Sequence, residues 1–165
     1  MARVKSFEGL SDYSKQLVRL GQLANADRVC KVGLYDGAKV VADSMREEIN
    51  ALPVTNAHGT AENPINGVNK TQKQGLLDGF GIAPMRKDGS VWNTMAGFDG
   101  YNGIKTSSFP NGQPNAMIAA SVEGGTSFRR KNPFITRALR KAREKAQAAM
   151  AAAADSAIKQ IMEES

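Results

Sequence analysis

Hydrophobic residues return at intervals of three and four along the first fifty positions. Leu10, Tyr13, Leu17, Leu20 and Ala24 share one helical face, with Ser11 or Asp12 placed to cap its start. Leu34, Ala38, Val41, Met45 and Ile49 repeat the pattern, while Lys39, Asp43, Arg46 and Glu47 fall on other faces. This spacing predicts an amphipathic helix from about residue 25 to residue 51, closed by Pro53. Gly33 and Gly37 interrupt it, each costing about 1 kcal/mol relative to Ala in an exposed helix interior. They mark either a close helix contact or a break, and the pattern alone leaves both open.

The periodicity then stops. Residues 53–70 are dense in Pro, Gly, Asn and Thr and predict a long loop, a feature that in compact domains is usually functional or mobile. Thr71 to Asp78 predict a short helix turn carrying Leu76 and Leu77. Phe80 to Arg86 and Val91 to Phe98 read as two β runs around Lys87-Asp88-Gly89-Ser90, a hairpin signal. On the second run Trp92, Thr94, Ala96 and Phe98 share one face, expected to be the core side. A second long loop covers residues 99–115. Ala116 to Val122 is a short apolar run, strand or helix turn, which pattern cannot assign.

Pro133 suits a first helical turn. From there Ile135, Leu139, Ala142, Ala146, Ala149, Ala153, Ala157 and Ile161 recur every three or four residues, predicting a helix of nearly thirty residues. Ala151 to Ala154 give it strong propensity but little area to bury, so a second subunit is expected to complete the burial. Glu163 and Glu164 at its end oppose the macrodipole and predict fraying.

Composition changes the picture in one place. The chain of 165 residues carries 22 Lys plus Arg against 16 Asp plus Glu, a net charge of +6. Residues 129–145 hold eight bases and one acid, leaving 14 bases and 15 acids elsewhere. The basicity is therefore local, either a solvated helix face or a contact with phosphates or an acidic surface. Only Phe134 interrupts the segment as an aromatic, which disfavours single-strand stacking. No run approaches a membrane span, and the opening MARVKSFEGLSDYS lacks the apolar block of a signal peptide; the expectation is a soluble intracellular protein with no membrane partner.

Candidate chemistry is sparse. His58 is the only histidine and sits in a loop without a nucleophile beside it, so solvent exposure is its default. Cys30, the only cysteine, falls within a helical pattern and reads as a small buried hydrophobe. No metal-ligand spacing or phosphate loop occurs, and Asp78, Asp88, Asp99 and Glu123 are scattered in turns. No catalytic residue, metal or cofactor is expected, and the chain is not expected to be an enzyme.

The stretch S-V-E-G-G-T-S-F-R-R-K-N-P-F-I-T-R-A-L, Ser121 to Leu139, resembles the C-terminal signature of a tailed-phage family. That family is named after gene product ten of phage HK ninety-seven and supplies neck, head-tail joining or tail-completion proteins. Its members carry a Glu, one residue, Gly-Thr, a short basic connection, then Pro-Phe and a closing helix. The opening Phe7-Glu8-Gly9-Leu10, the K-T-Q-K-Q-G-L-L-D stretch at Lys70 to Asp78 and the G-I-A-P-M-R strand extend the resemblance over most of the chain. Gly124 stands where a larger apolar residue is more usual.

The resemblance implies an α+β subunit, residues 1–165 as one domain, with a small antiparallel or mixed sheet packed by long N- and C-terminal helices and related to phage tail-terminator folds. It implies a virion protein of the neck or head-proximal tail, assembled in host cytoplasm as a sixfold ring. Its implied partners are its own copies, a neck or head-closure protein, the tail tube protein and, non-specifically, passing DNA. Glu123, Gly125, Thr126, Arg129, Arg130, Lys131, Arg137 and Arg140 are the candidate interface, with Glu123 pairing Arg129 or Arg130 across a boundary or holding its own turn. Trp92, Phe98 and Phe134 are the candidate core anchors. The alternative is a DNA-binding module using residues 129–145.

Overall fold

The computed structural model describes residues 8–164, and within them every side chain except those of residues 8–14, 23 and 24. Phe7 of the family-like opening lies outside the described residues, as do the side chains of Leu10, Tyr13 and Ala24. The described chain is α+β: helices α1 (Glu8–Gly21), α2 (Leu23–Asn50) and α3 (Lys70–Gly79), strands β1 (Phe80–Ile82), β2 (Arg86–Asp88), β3 (Val91–Asn93) and β4 (Ala96–Phe98), then helices α4 (Asn115–Gly124) and α5 (Phe134–Glu163). The ambiguous run at 116–122 is thus helical. Extended backbone at Gln22 separates α1 from α2.

α2 and α5 form the spine. Ser44 Oγ donates to the Ala138 carbonyl at 3.0 Å, and Arg28 Nη2 reaches Gln160 Oε1 at 3.5 Å, so the two helices run antiparallel. The buried side of α5 is Ala138, Ala142, Ala146, Ala153, Ala157 and Ile161. Its partner seam on α2 includes Gly33, Gly37 and Ser44, displaced by about one residue from the apolar stripe that periodicity identifies. A methyl at Gly33 would stand 3.1 Å from the Met150 carbonyl oxygen, and one at Gly37 would stand 2.4 Å from Met150 Cγ. The glycines are therefore contact positions, not a break. Ala142, Ala146, Ala153 and Ala157 of the expected stripe are buried against the small residues of α2, whereas Leu139 of the same stripe is 49% exposed.

The main core fills one end of this spine. Met45, Ile49 and Leu52 of α2 and its end meet Phe134 and Ala138 of α5, with Val68, Leu76, Phe80, Ile118, Ala119 and Val122 completing the cluster. Burying a side chain of this size contributes about 1.5–3 kcal/mol. Phe98 packs against the cluster between Phe80 and Phe134, with ring centroids 5.4 and 6.0 Å away. These tilted and edge-on contacts join the hairpin stem to the start of α5.

The two β runs pair as an interrupted hairpin. β1 pairs antiparallel with β4, Phe80 opposite Phe98, and β2 with β3, Arg86 opposite Asn93. Three residues, 83–85, face two, 94–95, between the ladders, so the register shifts by one. Pro84 lies in that gap and has no N–H for a ladder. Gly89 takes φ 58° at the first position of the Gly89-Ser90 turn, where a two-residue hairpin loop of type II′ requires a glycine.

The hairpin lies lengthwise against α2. Arg46 sits over the Phe80 ring at 5.8 Å near the stem, and Lys31 over the Trp92 ring at 4.3 Å near the tip. Trp92, expected in the core, is half-buried outside it. Its indole N–H donates to Asp27 Oδ1 at 2.8 Å, and Lys87 Nζ reaches the same carboxylate at 2.7 Å. The Lys87 and Trp92 hydrogen bonds hold the Asp27 carboxyl below its usual pKa. An indole on this face must satisfy its N–H, and the polar shoulder of α2 does so where an apolar core would not.

The expected loops at 53–70 and 99–115 are stitched down, with residue 70 in α3 and residue 115 in α4. Val54 bridges to Val68, Ile65 to Arg129, and Tyr101 to Pro114. Lys73 Nζ donates to the Asn50 and Leu52 carbonyls at 2.6 and 3.1 Å, placing a cation at the C-terminus of α2. At the end of α5, Arg28 pairs with Glu164 at 3.0 Å and Arg19 Nη1 donates to the Glu164 carbonyl, both on the exposed surface.

The two seam glycines should respond differently to substitution. Gly33→Leu drives a side chain into α5 backbone and is expected to cost about 1–3 kcal/mol. Gly37→Ala crowds chiefly the side chain of Met150, which is 37% exposed, and meets the Ala146 carbonyl oxygen only at an ordinary 3.4 Å. Its stability should stay within about 1 kcal/mol of the parent, as helix propensity offsets the crowding. Urea denaturation of both variants measures the difference, and equal losses would contradict the seam.

Candidate functional site

The family-like residues form the joint between α4 and α5. α4 ends at Gly124, where an added Cβ meets nothing within 4 Å, so the position also admits a larger residue. Gly125 closes the helix with φ 78°, its N–H donating to the Ser121 carbonyl at 3.1 Å. Thr126 and Arg129 then exchange backbone hydrogen bonds at 2.9 and 3.3 Å, and Thr126 Oγ1 accepts from the Phe128 N–H at 3.2 Å. Thr126 therefore holds its own turn.

Glu123 has a different partner from either arginine. Pro133 occupies the N-cap of α5, one position before the expected first turn, and offers no side-chain acceptor. The Glu123 carboxylate supplies it, accepting from the Ile135 N–H at 2.8 Å, the Thr136 N–H at 3.2 Å and the Thr136 hydroxyl. A carboxylate here satisfies orphan amides and meets the positive end of the helix dipole. The cap is intrachain, so of the two expected roles Glu123 takes the local one, although it holds the start of α5 and not its own turn.

The basic segment divides three ways. Arg137 Nε donates to Glu48 Oε2 at 2.8 Å and Lys141 Nζ pairs with Glu48 Oε1. Glu48 is 4% exposed, and Lys141 and Arg137 hold its pKa below the ordinary 4.5 despite the opposing effect of burial. Arg129 points inward. It is 8% exposed, and its Nη1 and Nη2 donate to Ser121 Oγ at 2.8 Å and Gln72 Oε1 at 3.0 Å. Burial lowers its pKa, while a guanidinium stays charged in proteins. Arg129, expected at an interface, is therefore interior, and Arg137 is committed to Glu48. Arg130, Lys131, Arg140, Arg143 and Lys145 are exposed and make no ion pair among the described residues.

Beyond Arg129 an amide chain continues. Gln72 Nε2 donates to Gln113 Oε1 at 3.0 Å, and Asn102 Nδ2 donates to the same oxygen at 3.3 Å. Gln72 and Asn69 also form the capping box of α3. Gln72, Gln113 and Arg129 of this network line a cavity of about 640 Å³ between the two long loops and α3, together with His58 and Lys70. No Asp or Glu lines it among the described residues.

Trp92, Phe98 and Phe134 are not one site: Phe134 is fully buried, Phe98 packs on the core and Trp92 clasps α2. The residue missed from sequence is Glu48. It is an acid flanked by Met45 and Ile49 on a helix whose only strongly basic complement is residues 129–145, and that placement was a usable signal. Cys30, expected to be buried, is exposed. Among the described residues no helix is long and apolar enough to cross a membrane. No family model, curated protein or solved structure matches the chain.

Glu48→Gln removes the charge shared by Arg137 and Lys141 and should destabilise the chain by about 1.5–3 kcal/mol at neutral pH. Because the folded pKa is depressed, this contribution is complete above the unfolded value near 4.5 and lost as pH falls through the lower folded value. Denaturation of parent and variant from pH 7 downward should therefore show their stabilities converging only below about pH 4.5. A gap that closes at higher pH would contradict the assignment.

Proposed function

We propose that this chain is a structural virion protein of a long-tailed phage, forming a ring, sixfold by the resemblance, in the neck or at the head-proximal end of the tail. The reading rests on the Ser121 to Leu139 signature, whose Glu123, Gly125, Thr126 and Phe134 act together in one joint. The observation that carries it is what the joint leaves outside. Phe128 and Leu139 are 57% and 49% exposed in the same stretch as exposed Arg130, Lys131 and Arg140. Aromatic, aliphatic and arginine side chains together suit a protein interface more than a purely phosphate-binding strip. In a closed ring such a surface meets a different surface of the next copy, a heterologous contact. Neighbouring neck and tail tube proteins are the further partners.

The DNA-binding reading keeps one observation in its favour, the five exposed bases without ion-pair partners among the described residues. If all five neutralised phosphate, binding would fall with a log–log salt slope of about −4.5.

Light scattering and cryo-EM of the purified chain, alone and with its neck and tail neighbours, test the assembly. Rings are expected, and Arg130→Glu with Arg140→Glu should abolish them while circular dichroism stays unchanged. A strict monomer that joins neither neighbour overturns the proposal, and a slope near −4.5 on duplex DNA in that case selects the alternative.

A further inference from the structure

Two charged side chains are buried among the described residues, Glu48 and Arg129. Glu48 is neutralised twice, by Arg137 and Lys141. Arg129 has no carboxylate partner among the described residues. Its hydrogen bonds go to neutral oxygens of Ser121 and Gln72, and the latter oxygen is shared with the Asn69 N–H. Leaving an ion desolvated and unpaired costs several kcal/mol, so buried charges are normally paired. Glu123, the acid nearest in sequence, is occupied by the amides of α5.

The cavity over Arg129 collects further positive charge in place of a counter-ion. Lys70 lines it with Arg129, His58 adds an imidazole, and the start of α3 opens onto it. Thr55, Thr71 and Thr106 add hydroxyl groups. Its remaining lining includes side-chain amides, no acid and no Phe, Tyr or Trp. Water can solvate the guanidinium through such an opening but cannot neutralise it.

We infer that this cavity binds a small phosphorylated polyol, a sugar phosphate. Two permanent cations match the charge of about −1.5 to −2 on a phosphate monoester better than the single charge of a carboxylate. Ser121 and Gln72 take two of the five guanidinium N–H donors of Arg129, leaving three for phosphate oxygens, and Lys70 adds a mobile ammonium. A volume of about 640 Å³ far exceeds one phosphate and lies within the usual range of small-ligand sites. Hydroxyl and amide groups on its walls suit the hydroxyls of a polyol, and the lack of an aromatic platform argues against a nucleobase. This site is independent of the assembly reading, since the exposed face of Arg130, Lys131 and Arg140 takes no part in it.

Isothermal titration of the full chain with ribose 5-phosphate, inorganic phosphate and ribose tests the inference. Ribose 5-phosphate should bind, inorganic phosphate should bind about tenfold or more weakly, and ribose should give no heat. Lys70→Ala changes an exposed side chain and should weaken ribose 5-phosphate about tenfold, as should Arg129→Lys, which keeps the charge but loses the fork. Circular dichroism confirms that each variant is folded. Absence of ribose 5-phosphate binding, or binding that Lys70→Ala and His58→Ala both leave unchanged, overturns the proposal. Equal affinity for inorganic phosphate overturns its polyol part, and equal affinity for ribose its anion part. Displacement of ribose 5-phosphate by duplex DNA would reassign the site to backbone phosphate and overturn the small-ligand reading.

Discussion

Close approach of α2 and α5 is the constraint on which the rest depends. Glycine at 33 and 37 faces Met150, and Ser44 reaches the Ala138 backbone, so the contact is made largely by backbone and small side chains. Little apolar area per residue is available in such a seam, and its stability comes from dense packing over its length. The larger side chains are gathered at one end, where α3, α4 and the hairpin stem cover Ile49 and Phe134. The fold thus has a narrow helical spine and a thicker core at the end where α2 finishes and α5 begins.

Two carboxylates fix the start of α5 in that core. Glu123 holds its first amides from α4, and Glu48 holds Arg137 and Lys141 from α2. Each is placed where positive charge or positive dipole is otherwise unopposed, so the first two turns are secured from two directions. The strongly basic segment is consequently not one surface. Part of it locks helices together, Arg129 turns inward, and the exposed remainder marks an outer face. Net charge alone cannot express this division, because it depends on which acids the fold brings near.

Order in the long connections follows from the same geometry. The loop before α3 pairs with itself at Val54 and Val68 and with the α4–α5 turn at Ile65 and Arg129. Gln72 and Gln113 then join α3 to the second loop through side-chain amides. These segments carry no hydrophobic period because hydrogen bonds hold most of their length, with Val68 as an anchor in the core. The cavity between them is a product of that polar packing, and its charge is set by Arg129, Lys70 and the lack of a lining acid.

Much of the local structure was legible in the sequence. The three-and-four spacing marked α2 and α5 closely, Asp88-Gly89 marked the hairpin, and Phe134 stood where an aromatic anchors a helix start. Interruption of the hairpin was less visible, although Pro84 carried the reason. The Gly33 and Gly37 seam escaped hydrophobic periodicity because glycine and serine are silent on an apolar scale. Alternation assigns Trp92 to the core, yet Asp27 draws its N–H to the shoulder of α2. Periodicity, turn chemistry and capping act between neighbours along the chain, so the helices, the hairpin turn and the concentration of bases are already specified by residue order. Which charge meets which acid is decided between positions as far apart as Glu48 and Arg137, 89 residues away. Only the tertiary structure could bring those partners together, neutralise some bases, bury Arg129 without an acid and leave the others facing outward.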